Sequence, residues 1–358
     1  MEFANTFWAL VPAIVAIVLA LITKEAYSSL FIGIVVGALL LTGFDPIGTV
    51  DAIISGTFIP AGGTEEDALA TGLIPSIADS AGIFAFLVIL GILVALINAT
   101  GASAAFGTWA AKNVRSRVGA EIATFVLGVL IFVDDYFNCL TVGSVMRPVT
   151  DAQRVSRAKL SYLIDATAAP ICMIAPVSSW AAAVSGVAAD LDVDGIQLFI
   201  SAIPFNFYSL LTLVFVVAIV VMGFDYGPMA KAELAALREG KLGSLGSDKP
   251  VENTRAHLLD MVIPILVLIV LCIIGMLYVG GFWDPEAEGY QNAVIAFSGT
   301  DAFTALPWGS IIALVFAFVY LLARRVVKFK DAMDCIVSGF NSMVPAILIL
   351  TFALTLKS

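Results

Sequence analysis

Long apolar blocks separated by short polar segments dominate the pattern along this chain. The first three blocks cover residues 7–23, 28–43 and 83–98. Each is close to the roughly 20 residues that an α-helix needs to cross a hydrocarbon layer of about 30 Å. Five more apolar blocks follow, at residues 160–188, 196–222, 258–279, 308–322 and 343–356. The pattern predicts an all-α, polytopic membrane protein.

Composition supports this class and excludes others. Hydrophobic residues make up 60% of the chain and charged residues 13%, whereas soluble proteins have about 25% charged residues. The sequence has no glycine-rich phosphate loop, no Ser/His/Asp pattern and no basic, aromatic-rich surface. We therefore expect a lipid bilayer as partner, a location in the cell membrane, no nucleic-acid partner, no bound cofactor and no enzymatic activity.

The basic residues predict the orientation. Lysine and arginine cluster at residues 112–117, 147–159, 231–255 and 324–330. Such clusters mark cytoplasmic segments, because short loops with basic residues are retained on that side. The acidic segments 45–79, 190–194 and 284–301 have no basic residue and are predicted to lie outside. The N-terminus is then also outside.

One apolar stretch cannot be a simple span. Both ends of residues 118–147 are predicted to be cytoplasmic, yet two full crossings need roughly 40 residues. The pattern predicts a re-entrant hairpin at residues 119–146, with its tip near Asp134, Asp135 and Asn138. Non-helical backbone at membrane depth is tolerated only beside protein or a water-filled cavity, so the hairpin implies a cavity.

A short internal repeat suggests the domain plan. Residues 50–56 resemble residues 333–339, with Asp, Ile, Ser and Gly identical. The predicted orientation puts Asp51 outside and Asp334 inside, which is typical of inverted repeats in secondary transporters. We predict a first repeat at 1–222, a solvated cytoplasmic linker at 223–257 and the start of an incomplete second repeat at 258–358. The alternative is a chance match in a complete chain.

The hairpin tip contains the first group of candidate ligands. A carboxylate at the centre of a membrane helix costs about 2.5–3.5 kcal/mol, so Asp134 and Asp135 are predicted to be functional. Because adjacent carboxylates repel, one of them readily accepts a proton or a cation. Asn138 adds a neutral oxygen. The alternative is a helix-capping group, since Asp and Asn favour caps.

The second group lies in a predicted broken helix at residues 160–188. A proline has no amide hydrogen, so Pro170 frees the carbonyl of Ala166 and Pro176 frees that of Cys172. Together with hydroxyl and carboxylate oxygens, these carbonyls suit a small hard cation such as Na⁺. The alternative is a proline kink filled by Ser and Thr. The candidate residues are Asp165, Thr167, Pro170, Pro176, Ser178 and Ser179.

Four blocks resemble the NhaC-type Na⁺/H⁺ antiporter family of the ion transporter superfamily. They are residues 30–40, 132–138, 146–151 and 165–170. The resemblance implies two inverted repeats, each with a re-entrant hairpin and a discontinuous helix that meet near the membrane midplane. The chain departs from the family because the second half has no Thr-Gly-Thr-Ser-Trp-Gly-like block.

The function predicted from these features is exchange of Na⁺ for H⁺, with both ions competing for Asp134, Asp135 and Asp165. Na⁺ and H⁺ are then transported ions rather than cofactors. One alternative is Na⁺- or H⁺-coupled transport of a small organic acid or amino acid. Another is a truncated subunit or remnant that does not transport. A homodimer is left open.

Overall fold

The computed structural model describes most of the chain, with gaps. The described residues are 6–58, 69–102, 105, 114, 116–132, 135–176, 178, 180–181, 184, 195–243, 255–257, 259–298 and 300–357. Helices dominate this part, which confirms the all-α class. The exception is a small antiparallel pair, β1 (Gly56–Phe58) and β2 (Leu69–Thr71), in which Gly56 pairs with Thr71.

The described ranges contain α-helices that we number α1 to α15. In chain order they are α1 (Val11–Thr23), α2 (Ala26–Leu41), α3 (Pro46–Ser55), α4 (Leu73–Asp79), α5 (Ala81–Thr100), α6 (Arg117–Leu130), α7 (Asp135–Ala152), α8 (Arg157–Cys172), α9 (Gly195–Ala202), α10 (Phe207–Met222), α11 (Gly227–Glu239), α12 (Leu259–Val279), α13 (Ala293–Ser298), α14 (Ala302–Ala323) and α15 (Phe329–Lys357). Short 3-10 turns cover Phe7–Leu10 and Ile203–Phe205.

Several helices are suited to a bilayer. Within the described ranges, five helical segments are long and apolar enough to cross a membrane, which confirms a multi-pass membrane protein. They are Ala81–Thr100, Phe207–Glu239, Leu259–Val279, Phe303–Ala323 and Phe329–Leu356. In the second of these, α10 ends at Gly223, whose φ of 61° is left-handed. Shorter apolar helices occupy Phe7–Thr23, Ala26–Leu41 and Pro46–Ser55.

The chain divides into two compact units. One comprises residues 1–84 and 342–358, and the other residues 85–341. In the first unit α1 packs closely on α2: a Cβ added to Gly33 would lie only 2.9 Å from the Cβ of Ala16. In the second unit α12 packs closely on α14, where a Cβ on Gly309 would lie 2.5 Å from the Leu271 carbonyl. Small residues allow this approach of membrane helices.

The repeated heptapeptide follows a helix pair in both places. Its first copy begins in α3, after the α1–α2 pair, and its second lies within α15, after the α12–α14 pair. The two copies end differently. Gly56 leaves the helix with extended backbone, whereas Gly339 stays helical, and a Cβ there would lie 2.4 Å from the Ile92 Cα. The inverted relation and the domain limits stay predictions.

Two predicted segments differ from the structure. The span predicted at 196–222 consists of two helices, α9 and α10. Pro204 has no amide hydrogen to donate within a helix, and Asn206 caps the start of α10. The Asn206 Oδ1 accepts the Ser209 amide at 3.1 Å. Part of the predicted linker, residues 225–243, contains α11, whose buried Glu233 contacts Arg117 of α6 and the amide of Ser156 before α8, while most of its other side chains are exposed.

Candidate functional site

Helices α6 and α7 form an antiparallel hairpin. The start of α6 and the end of α7 form the base of the hairpin, where the Gln153 side-chain amide donates to the Val114 carbonyl at 3.2 Å. The hairpin is longer than the predicted 119–146. The 14 residues of α6 extend about 21 Å, which is less than the hydrocarbon thickness of about 30 Å. These dimensions suit a hairpin that enters and leaves on one side, and that disposition stays a prediction.

The sequence of α6 sets its limits and its buried face. The Ser116 hydroxyl oxygen accepts the Gly119 amide at 3.0 Å and caps the start of the helix. The helix ends at Leu130. Its buried residues recur every three or four positions, which places them on one face. They are Ala120, Glu121, Thr124 and Gly128.

Asn138 closes the tip of the hairpin from the first turn of α7. Its Nδ2 group donates to the Gly128 carbonyl at 2.6 Å and to the Ile131 carbonyl at 2.7 Å. These carbonyls belong to the end of α6, where no later helical amide is available. A carbonyl can only accept, so the two bonds fix which end of the amide is nitrogen and which is oxygen.

The other end of this amide is its Oδ1 atom. Asn138 is fully buried, and its Oδ1 atom has no hydrogen-bond partner in the described part of the chain. A buried acceptor without a donor costs about 1–3 kcal/mol, and such groups are uncommon and call for an explanation. A neutral amide oxygen fixed in this way is a suitable ligand for a hard cation.

Thr167 of α8 lies beside the same point. A Cβ on Gly128 would lie 2.9 Å from Thr167 Cγ2 and 3.6 Å from Asn138 Oδ1. Gly128 therefore allows α8 to approach the hairpin tip, and the structure brings Asn138 and Thr167 together there. The Thr167 hydroxyl donates to the Leu163 carbonyl at 2.6 Å, which leaves its oxygen lone pairs as possible ligands.

The paired aspartates lie next to this point in sequence. Asp135 is half-buried and begins α7, one helical turn before Asn138. The N-terminus of a helix carries partial positive charge, which favours an ionised carboxylate in the first turn. That position also fits the capping alternative. Asp134 lies outside the described residues.

The proline-broken segment differs in detail from the prediction. Helix α8 passes through Pro170 and ends at Cys172, so the break lies between the two prolines rather than at the first of them. The Cys172 carbonyl, which Pro176 cannot satisfy, accepts the Ser178 hydroxyl at 2.7 Å. The Ser178 oxygen also accepts the Ala181 amide at 3.2 Å. Ser178 therefore fits the alternative in which a hydroxyl group satisfies the backbone at a proline kink. Ser179 lies outside the described residues.

Asp165 does not join this group. It is exposed on α8, whereas Thr167 is buried against the hairpin. The physical reason is the helical period, because two positions along a helix correspond to about 200° of rotation. Asp165 and Thr167 therefore lie on opposite faces of α8, and the role of Asp165 in ion binding stays a prediction.

Sequence reasoning missed a group of buried charges at the other end of the hairpin. Lys159 is 1% exposed and lies between carboxylates of α6 and of the segment after α10. It was counted only as one of the basic residues that set the orientation. The polar face of α6 that contains Glu121 was a signal that could have indicated a buried partner.

Comparison with known proteins identifies the class of this chain. A model of the Na⁺/H⁺ antiporter family matches residues 171–358. This chain belongs to the Na⁺/H⁺ antiporter family. An uncharacterized protein of Haemophilus influenzae is 31% identical over 368 residues, which covers 99% of this chain and 67% of that relative. No solved structure matches the chain.

Membership in the Na⁺/H⁺ antiporter family identifies the chain as a membrane transporter at the level of the family. The matched segment begins at Ile171, at the end of α8, so it contains Pro176, Ser178 and Ser179. The hairpin and the Asp165 block precede it. The NhaC-type subdivision and an incomplete second repeat stay predictions.

Proposed function

We propose that this chain exchanges Na⁺ for H⁺ across the cell membrane, and that Na⁺ binds at the tip of the α6–α7 hairpin. The observation that carries the proposal is the buried Oδ1 of Asn138, which has no hydrogen-bond partner among the described residues, while the Nδ2 group of the same amide is held by two backbone carbonyls. Thr167, whose methyl group lies beside the same point, would supply a hydroxyl oxygen, and Asp135 would supply a carboxylate one helical turn away.

The chemistry of these groups suits exchange. Na⁺ is a small hard cation, and the oxygen ligands that suit Ca²⁺ and Mg²⁺ suit it as well. The Asp135 carboxylate can hold either a proton or part of the coordination of Na⁺, so each ion lowers the affinity for the other. Asn138 and Thr167 bind only the metal ion. Competition at one carboxylate therefore couples the two fluxes.

The other predicted ligands do not carry this proposal. Asp134 would place a second carboxylate next to Asp135, which increases the attraction for cations. The remaining predicted ligands belong to α8 or to its break, and their role in ion binding stays a prediction. They are Asp165, Pro170, Pro176, Ser178 and Ser179.

Reconstitution of the full chain tests the proposal. Proteoliposomes with an internal pH-sensitive dye should show proton movement when Na⁺ is added outside. Asp135→Asn should abolish it, and Asn138→Ala should slow it by about tenfold or more, which is the effect of losing about 1.4 kcal/mol of binding. Asn341→Ala is the matched control, because Asn341 is an exposed asparagine of α15.

Three results would count against this function. Wild-type rates in both Asp135→Asn and Asn138→Ala would contradict the proposed site. Proton movement that required an added organic acid or amino acid would favour the coupled carrier. A loss of exchange in Asn341→Ala as large as in Asn138→Ala would show that any asparagine in a predicted span has this effect.

A further inference from the structure

Lys159 is a buried lysine held between two carboxylates. Its Nζ atom lies 3.2 Å from Glu121 Oε2 and 2.9 Å from Asp225 Oδ1. Glu121 belongs to α6, Lys159 to α8, and Asp225 to the segment between α10 and α11. The Lys159 side chain is 2% exposed and that of Glu121 also 2%. Three separate elements therefore meet at one ammonium group.

A second set of contacts extends the group to α11. The Arg117 guanidinium pairs with Glu121, at 3.2 Å, and with Glu233 of α11. Glu233 Oε1 also accepts the amide of Ser156 at 2.8 Å, directly before α8. Through these bonds the base of the hairpin, the start of α8 and the middle of α11 are joined.

Backbone contacts fasten the segment after α11 over the same end. The Arg157 amide donates to the Leu242 carbonyl at 2.8 Å, and its guanidinium donates to the Gly243 carbonyl at 3.2 Å. The Arg154 guanidinium donates to the Leu237 carbonyl at 3.4 Å. Residues 225–243 thus cover the N-terminal ends of α6 and α8.

The charged group and the candidate cation site lie at opposite ends of one seam. Along the α6–α8 interface, Glu121 contacts Lys159 at the base, and Gly128 contacts Thr167 near the tip. Seven residues of α6 separate the two contacts, which is about 10 Å. Thr124 lies between them on the same buried face. The interface therefore has polar groups along its length.

We propose that Lys159, Glu121 and Asp225 form an inner gate that closes the cytoplasmic end of this seam and so controls access to Asn138. This inference rests on the proposed function and on the predicted cytoplasmic position of these residues. Removing several charges from water is unfavourable unless they pair well. Water can replace such pairs when the helices separate, so a charged closure can open into a polar route.

Accessibility of a cysteine introduced at position 124 tests the gate. The starting variant has its four native cysteines replaced by alanine and carries Thr124→Cys. Inside-out vesicles are treated with a membrane-impermeant thiol reagent. The reaction should be slow with Lys159 present and at least about tenfold faster with Lys159→Gln, which corresponds to about 1.4 kcal/mol in the opening equilibrium. Right-side-out vesicles should show no such acceleration.

Two further variants separate a gate from a general loss of structure. Lys159→Arg keeps a positive charge beside both Glu121 and Asp225 and should keep the labelling slow. Asp260→Asn breaks a different ion pair, in which the exposed Arg324 Nε lies 2.9 Å from Oδ1 of the buried Asp260, and should leave the labelling of the introduced cysteine slow. Equal acceleration in Asp260→Asn, or fast labelling in Lys159→Arg, would overturn the gate.

Asp225→Asn provides a second measurement if Lys159→Gln does not reach the membrane. It removes one partner of Lys159 and leaves Glu121 in place, so faster labelling is again expected. Labelling at the starting rate in every variant that reaches the membrane would overturn the proposal. The measurement needs no transport, so absence of Na⁺ exchange with gated labelling would contradict only the proposed function.

Discussion

The side chain of Asn138 has two separate roles at the hairpin tip. Its nitrogen satisfies carbonyls at the end of α6, which would otherwise be unpaired because the helix stops at Leu130. Its oxygen is left without a donor among the described residues. The hydrogen bonds of the nitrogen fix the direction in which the amide oxygen points, so the oxygen is oriented before any ion arrives. Such pre-orientation reduces the entropic cost of binding.

Glu25 provides a test of pH dependence at the residue scale. Its carboxylate caps α2 by accepting the Ser28 hydroxyl and the Ser28 and Tyr27 amides. The Ser28 hydroxyl bond is the main reason that the pKa of Glu25 is lowered. A lowered pKa in the folded state means that the carboxylate stabilises the fold above its unfolded pKa and loses this effect as the pH falls through the folded one.

We therefore expect Glu25→Ala to lower the melting temperature at neutral pH and to lose this difference from wild type in acid. Thermal unfolding of the purified protein over a pH series measures both. Glu239→Ala is the control, because the exposed pair of Glu239 with Lys241 is of a kind that contributes little. A destabilisation by Glu25→Ala that persists below the carboxylate pKa would contradict the capping role.

At the scale of elements, the contact between the hairpin and α8 depends on a missing side chain. Gly128 places the α6 backbone next to Thr167, and a Cβ there would approach Thr167 Cγ2 to 2.9 Å. By contrast, a Cβ on Gly143 of α7 would lie 3.6 Å from Ile164 Cδ1, an ordinary contact distance. The two glycines face the same helix at different separations, so they form a matched pair.

Gly128→Ala should destabilise the protein by about 1–3 kcal/mol, the usual cost of overpacking, and should also weaken Na⁺ binding by moving Thr167. Gly143→Ala should have little effect on either. Thermal unfolding with and without Na⁺ measures both quantities. Equal effects of the two substitutions would show that the close approach at Gly128 has no special role.

The sequence predicted the elements better than their contacts. The hairpin followed from charge placement around residues 118–147, and Asn138 was assigned a ligand role from its position at the tip. The break after α8 followed from two prolines. The helical period was sufficient to predict that Asp165 and Thr167 lie on opposite faces of α8. The candidate ligands were instead grouped by their distance along the sequence. The burial of Lys159 was not accessible, because its partner Asp225 is 66 residues further along the chain.

At the scale of the whole molecule, long apolar helices and the family match agree on a membrane transporter. Sequence composition was sufficient for the first conclusion, since few soluble proteins have so little charge. The direction of insertion depends on the basic clusters alone. It decides which side the charged group around Lys159 faces, so it needs its own test.

Two exposed glutamates offer that test. Glu286 lies between α12 and α13 in a segment predicted to be outside, and Glu239 ends α11 in a segment predicted to be cytoplasmic. In the cysteine-free background, Glu286→Cys should react with an impermeant reagent in right-side-out vesicles and Glu239→Cys only in inside-out vesicles. The opposite pattern would reverse the predicted orientation.

The central claim is that the Asn138 amide oxygen is a ligand for Na⁺. Titration calorimetry of the purified full chain with Na⁺ tests it without requiring transport, and thermal unfolding without Na⁺ verifies that each variant is folded. We predict saturable binding in wild type and in Asn341→Ala, and binding weakened by about tenfold or more in Asn138→Ala. Binding of Na⁺ to folded Asn138→Ala with the wild-type affinity would contradict the account.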